Sequence, residues 1–251
     1  IKDIKGKRVT WVKGAPALNV NMSAFLAFAG YTWDDVEKVV VPGWKQSIEA
    51  IINGQADLAW GSTASSAYNQ LAASPRGLYF VNMPHSDKEA WARANAIAPH
   101  WAPQMVSVGV DLKSNESGKV PWEGNNFPYP IFVAIEGTPD DLAYGLTKAV
   151  MENFDQIKDS GPSMGGYQIS KQNLKWIFPY HLGSIKYFKE KGLWTDEHDQ
   201  HNAGLLKRQE ILADAWSKVD QNLSDEEFEA AWKKARAAAL DAAGMSVPFR
   251  D

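Results

Sequence analysis

Hydrophobic and polar positions alternate between two periods along the first ninety residues. Residues 7–12, "KRVTWV", form a short β-branched run, and Leu18, Met22, Phe25, Leu26 and Ala29 then recur at helical spacing until Gly30 ends the pattern. "VEKVVVPG" repeats the strand signal, and Ile48, Ile51 and Ile52 give a helical face closed by Asn53 and Gly54. A third copy is expected in "ADLAWG", with Ser62 as helix N-cap and Tyr68 and Leu71 facing inward, and "GLYFVNM" reads as a fourth strand. Strands alternating with short helices predict parallel βαβ units, and hence an α/β fold.

Beyond Pro84 the pattern loosens, and residues 84–130 read as loops around one or two short strands because Pro, Gly, Asn and Ser recur throughout. "IFVAIEG" restores an extended run. "TPDDLAYGLTKAVMENF" then predicts a helix capped by Thr138, with Pro139 in its first turn and an apolar face of Leu142, Leu146, Val150 and Phe154. The remainder reads helical, with a capping box from Ser224 to Glu227 ahead of Phe228 and Trp232. Leu212, Trp216, Val219, Phe228 and Trp232 supply apolar faces for fastening lobes or a partner subunit.

Charge and composition remove several classes of function. The 251 residues carry a formal net charge of -4, and no Lys/Arg run is interleaved with aromatics, so no nucleic-acid partner is expected. No segment approaches the roughly 20 apolar residues of a membrane-spanning helix, so no direct membrane insertion is expected, and "IKDIKGKRVT" does not read as a signal peptide. The absence of cysteine excludes disulfides and thiolate chemistry. The 11 tryptophans exceed what an ordinary core requires.

Catalytic signals are weak. His181, His198 and His201 lie close in sequence, yet "TDEHDQHN" reads as a solvated loop or helix start, so no metal and no cofactor are expected. Asp34 with Asp35 and Asp140 with Asp141 precede helical segments, where carboxylates favour the positive end of the dipole. No Walker, dinucleotide or nucleophile-elbow motif occurs. What remains is binding at helix N-termini, where Gly14, Ala15, Pro16 and Ala17, and Gly61, Ser62 and Thr63, are small enough for an anion to approach backbone N–H groups. Asn19, Ser62 and Thr63 can add side-chain hydrogen bonds, and Trp44, Trp60, His100 and Trp101 complete the candidate ligand-binding set. The competing reading makes these small residues turn chemistry and the tryptophans core.

Four blocks in order carry a family resemblance: "IKGKRVTWVKGAPALNVNMSAFLAFAGYTWDDVEKV", "SIEAIINGQADLAWGSTASSAYNQLAA", "DDLAYGLTKAVMENFDQIK" and "YHLGSIKYFKEKGLW". Together they resemble the TAXI-type solute receptors of TRAP transporters. The departures are "APALNV" where the family has a Gly-Ser-Gly-Thr cluster, and His181-Leu182-Gly183 where it has His-Pro-Gly. The resemblance implies a periplasmic-binding-protein type II-like fold, in which residues 1–130 form the second α/β lobe. Residues 131–251 would then hold a return crossing strand and helices packing on a first lobe, most of which would precede this chain. It further implies a periplasmic receptor without enzymatic activity, closing on a small organic anion and delivering it to TRAP membrane subunits. The rival expectations are an enzyme on the same two-lobed fold and a Trp-rich interaction protein.

Overall fold

A computed structural model of the chain describes residues 1–126, 131–161 and 163–248. It divides into two compact units, Ile1–Pro130 and Ile131–Asp251.

In the first unit, strand β1 (Arg8–Val12) pairs in parallel with β2 (Glu37–Val41), with Arg8 opposite Glu37 and Val12 opposite Val41. Helix α1 (Pro16–Phe28) makes the crossover, with Pro16 in its first turn, where a missing N–H does no harm. Helix α2 (Trp44–Ile52) follows β2 and ends at Asn53, with Gly54 at φ +71°, the left-handed conformation expected just past a helix. The expected third and fourth strands shrink to single bridges, Val9 with Leu58 and Phe80 with Asn115. Ser62 caps no helix, because α3 (Tyr68–Ala72) starts six residues later.

The third strand stops short for a visible reason. Leu58 N–H donates to the Arg8 carbonyl (3.1 Å) and Thr10 N–H to the Leu58 carbonyl (3.0 Å), so the ladder would continue with Trp60 N–H on the Thr10 carbonyl, a bond that does not form, and then with Val12 N–H on the Trp60 carbonyl. The Asn19 carboxamide takes that rung instead: its Oδ1 accepts from Val12 N–H at 2.8 Å and its Nδ2 donates to the Val12 carbonyl at 2.9 Å. The Trp60 carbonyl accepts from Trp44 Nε1 at 3.2 Å.

Helix α4 (Lys88–Ile97) occupies a stretch expected to be loop. Asp87 caps it by accepting from Ala90 N–H (2.9 Å), and Ala90, Trp91 and Ala94 bury one face against Phe25 and Phe28 of α1. Arg93 donates to the carbonyls of Ala27 and Phe28, both at 2.9 Å, satisfying acceptors at the end of α1. Strands β3 (Ala102–Val106) and β4 (Trp122–Asn126) form an antiparallel pair; residues 127–130, the end of the expected loop region, lie outside the described residues. An ionic anchor closes the base of the first unit. Arg8 grips Asp57 through Nη2 (2.7 Å) and Nε (3.0 Å), and Arg76 adds a contact at 3.1 Å. The Arg8 hydrogen bond is the main reason the Asp57 carboxyl is held well below the usual carboxylate range, against the opposing effect of burial.

The second unit is helical: α5 (Asp140–Glu152), α6 (Phe154–Ile157), α7 (Leu182–Glu190), α8 (Asp196–Ser217) and α9 (Asp225–Ala242). No strand forms over residues 131–136, where Val133 is 77% exposed and Ile135 81%. Thr138 bonds back to the Ile135 carbonyl (2.8 Å), leaving Pro139 as the N-cap of α5. The expected apolar face of α5 is reversed in part. Leu142 (61%) and Leu146 (43%) are exposed, while Ala143, Tyr144, Thr147 and Met151 are turned towards α7. Gly183 explains the choice, since a Cβ there would overlap the Asp140 carbonyl and stand 2.7 Å from Tyr144 N, so the two backbones nearly touch. The Ser224–Glu227 box caps α9 as expected, and Trp216 of α8 packs edge-on against Phe228 (4.8 Å) and Trp232 (4.9 Å).

Candidate functional site

Three chain segments leave the first unit's sheet on one side: residues 13–17 after β1, 42–46 after β2, and 59–63 after the Leu58 bridge. This is the carboxyl edge of a parallel sheet, where α/β folds place their ligands. Amide accounting separates the segments. Lys13 and Gly14 donate to the carbonyls of Val41 (2.9 Å) and Pro42 (3.0 Å), and Ala15 to Val12 (3.4 Å), so the turn before α1 has its first three donors already engaged, two of them at the end of β2. A Cβ on Gly14 would stand 2.9 Å from the Pro42 carbonyl, which fixes glycine there. Helix α2 differs, because its N-cap, Gly43, has no side chain to offer. The first-turn amides of Trp44, Lys45 and Gln46 therefore stay open at the positive end of the helix dipole.

Two cations stand at this edge, and sequence patterning singled out neither. Lys13, directly after β1, is exposed, and its side chain makes no hydrogen bond or ion pair among the described residues. Lys45 lies in the first turn of α2, only loosely paired with Glu49 at 3.9 Å. Their position at strand and helix ends was the available signal.

The expected site residues divide. Gly14, Pro16 and Ala17 are exposed at the edge, with Ala15 half-buried between them. Trp44, Trp60 and Gly61 meet there, the Trp44 indole fastened to the Trp60 carbonyl. Ser62 is exposed, and its hydroxyl accepts from Ala64 N–H at 3.4 Å. Asn19 does not offer its carboxamide to the edge: it is 7% exposed and engaged with Val12. Thr63 is likewise occupied, donating to the Val108 carbonyl (2.8 Å) and accepting from Val110 N–H (2.9 Å). Trp101 belongs to the core at 4% exposure, stacked on Trp60 at 4.8 Å, with its indole N–H on Asn21 Oδ1 at 2.7 Å. His100 shares that acceptor at 3.3 Å, and burial pushes its pKa down, so the neutral ring is favoured. Asn21 is thus a polar hub that sequence reading overlooked; its apolar neighbours gave no cue.

The three C-terminal histidines have separate tasks. His181 caps α7 through Nδ1 on Gly183 N–H (3.2 Å), His198 closes the capping box at Thr195 (3.0 Å), and His201 bonds the Trp176 carbonyl (2.6 Å). Among the described residues no group of three or more His, Asp or Glu side chains is placed to hold a metal.

Parallel strands that deliver helix N-termini and lysines to one edge make an α/β unit with a place suited to an anion, and the family match assigns that unit to the periplasmic-binding-protein type of fold. The chain belongs to the NMT1-like family, whose match covers residues 1–192. This is a family of solute-binding proteins related to the TRAP/TAXI receptors, typically periplasmic and working with membrane transporters. No curated protein matches the chain. No helix among the described residues is long and apolar enough to cross a membrane.

Proposed function

We propose that the protein is a periplasmic receptor that binds a small organic anion, a carboxylate, at the edge formed by residues 13–17, 42–46 and 59–63. It would deliver that anion to the membrane subunits of a TRAP-type transporter, in the manner of the TAXI receptors it resembles. The observation that carries this reading is the uncapped N-terminus of α2 lying beside the end of β1, where Lys13 is exposed. Open amides and a helix dipole favour negative charge at that point, and a nearby ammonium adds attraction without demanding a fixed geometry.

Binding of small acids, followed by tryptophan fluorescence and melting temperature, tests it. Trp44 is the expected reporter, and an acid at 100 times its dissociation constant adds about 2.7 kcal/mol of stability. Gly43→Asp separates binding from folding. Gly43 has extended backbone (φ -149°, ψ 172°) that any residue adopts, and an aspartate there caps α2 while placing a negative charge where the anion would sit. The variant should hold or gain stability, by about 0.5–1 kcal/mol, and lose anion affinity. Unchanged affinity in Gly43→Asp would place the ligand elsewhere.

A further inference from the structure

Tyr68 opens α3, and its ring is buried between Phe80 (centroids 5.9 Å apart) and Trp44 (6.3 Å), leaving the residue 5% exposed. Its hydroxyl makes no hydrogen bond among the described residues, and it is not one of the fully enclosed polar atoms. A buried phenol with no partner is unusual, because leaving such a donor unmade costs about 1–3 kcal/mol. Its direction supplies the reason. The hydroxyl lies against Gly61, where a Cβ would overlap it and stand 2.9 Å from Trp44 Nε1. Any residue but glycine at position 61 would collide with the hydroxyl. Trp44 Nε1 is already committed to the Trp60 carbonyl at 3.2 Å, and the Trp60 indole N–H, though without a partner, is fully enclosed, which leaves the phenol as the donor a ligand can reach among these three rings.

We infer that the Tyr68 hydroxyl is a specificity-determining ligand contact, donating a hydrogen bond to an oxygen of the bound anion beside the bare backbone of Gly61. The inference rests on the anion-binding reading. Burial raises the phenol's pKa, so it stays a neutral donor at any physiological pH. The division of labour follows. The α2 amides and the lysines answer the ligand's charge, whereas a rigid, uncharged donor answers the position of one oxygen. Rigidity comes from the packing of the ring, which leaves the hydroxyl little freedom to lose on binding.

Tyr68→Phe tests this, since it keeps the ring and removes only the oxygen. Isothermal titration of acetate, pyruvate, succinate, 2-oxoglutarate, L-glutamate and benzoate into the wild-type and variant proteins gives the comparison. The dissociation constant of the tightest acid should rise about tenfold. The melting temperature of the unliganded variant should stay level or rise, because the ring keeps its packing and no protein hydrogen bond is lost. These opposite signs distinguish a ligand contact from a structural role. Equal affinity in Tyr68→Phe would overturn the inference and leave the anion reading standing, and a parallel fall in stability and affinity would also overturn it. Failure of the wild-type protein to bind any of the six acids would overturn the anion reading and this inference with it. Gly61→Ala gives a second arm, expected to weaken the same acid because its methyl group would displace the hydroxyl.

Discussion

Helices α1 and α4 of the first unit meet through bulk, with Phe25, Phe28 and Trp91 buried around Ala24, Ala90 and Ala94. Helices α5 and α7 of the second unit meet through closeness, with Gly183 lying against the Asp140 carbonyl and the leucines of α5 left outside. Bulky apolar side chains announce the first kind of interface in the sequence. The second kind is announced by a single missing side chain, and the large apolar residues nearby point the wrong way. Dispersion and burial drive both, but the first depends on filling volume and the second on permitting approach.

The contrast can be broken most directly at its centre. Leu26 is fully buried on α1, so Leu26→Ala should lower stability by about 3 kcal/mol, read as a shift of the denaturant midpoint at constant slope. Gly183→Ala should cost about 1–3 kcal/mol by overpacking, because the obstructing atoms are backbone and have no rotamer to change. If it were accommodated without loss, the interface would not depend on closeness.

The ionic anchor sharpens the comparison further. Asp57→Asn removes the charge-assisted grip on Arg8 and should cost roughly 1–2 kcal/mol, since both side chains are partly shielded. Its pH dependence has a definite sign. The folded state holds the Asp57 carboxyl below its unfolded value near 3.9, so its contribution is complete above about pH 4 and drains away as pH falls towards the folded pKa. The Asn variant should therefore show a shallower acid limb below about pH 4. In the second unit, Lys207–Glu210 and Lys218–Asp214 are exposed pairs, and their removal should stay within about 0.5 kcal/mol. The smallest effect is expected for Leu142→Ser, within about 0.5 kcal/mol, although the residue sits on the face that periodicity marks as buried.

Helices with both a period and a cap were legible in the sequence. The runs Leu18 to Ala29 and Ile48 to Ile52 fall in α1 and α2, and Ser224 with Glu227 starts α9. Helix α4 escaped because Pro84, Asn95 and Pro99 crowd its ends, although Asp87 ahead of Ala90, Trp91 and Ala94 was the usual start signal. Strands at Leu58 and Phe80 were overcalled because β-propensity describes a surface ready to pair, not the partner that completes it. The carboxyl edge was legible from the order of strand, turn and helix. Which of its donors stay open was not, because that depends on partners distant in sequence, such as the Pro42 carbonyl for Gly14 and the Val108 carbonyl for Thr63.

The Asn19 carboxamide imitates a peptide group, and what it imitates is the next residue of a neighbouring strand. It occupies both bonding positions of Val12, the place a longer third strand would reach, and the chain from Trp60 onward peels away instead of running on beside β1. The width of the edge is therefore set by a side chain that is buried and turned onto Val12. A substitution such as Asn19→Leu leaves Val12 with an idle donor and acceptor, and the Trp60 carbonyl is the partner a parallel ladder would recruit for the donor. The third strand would then have room to run on past Leu58. In this protein the edge of the sheet is kept short by an interrupted strand, and a single side-chain amide holds the place of its continuation.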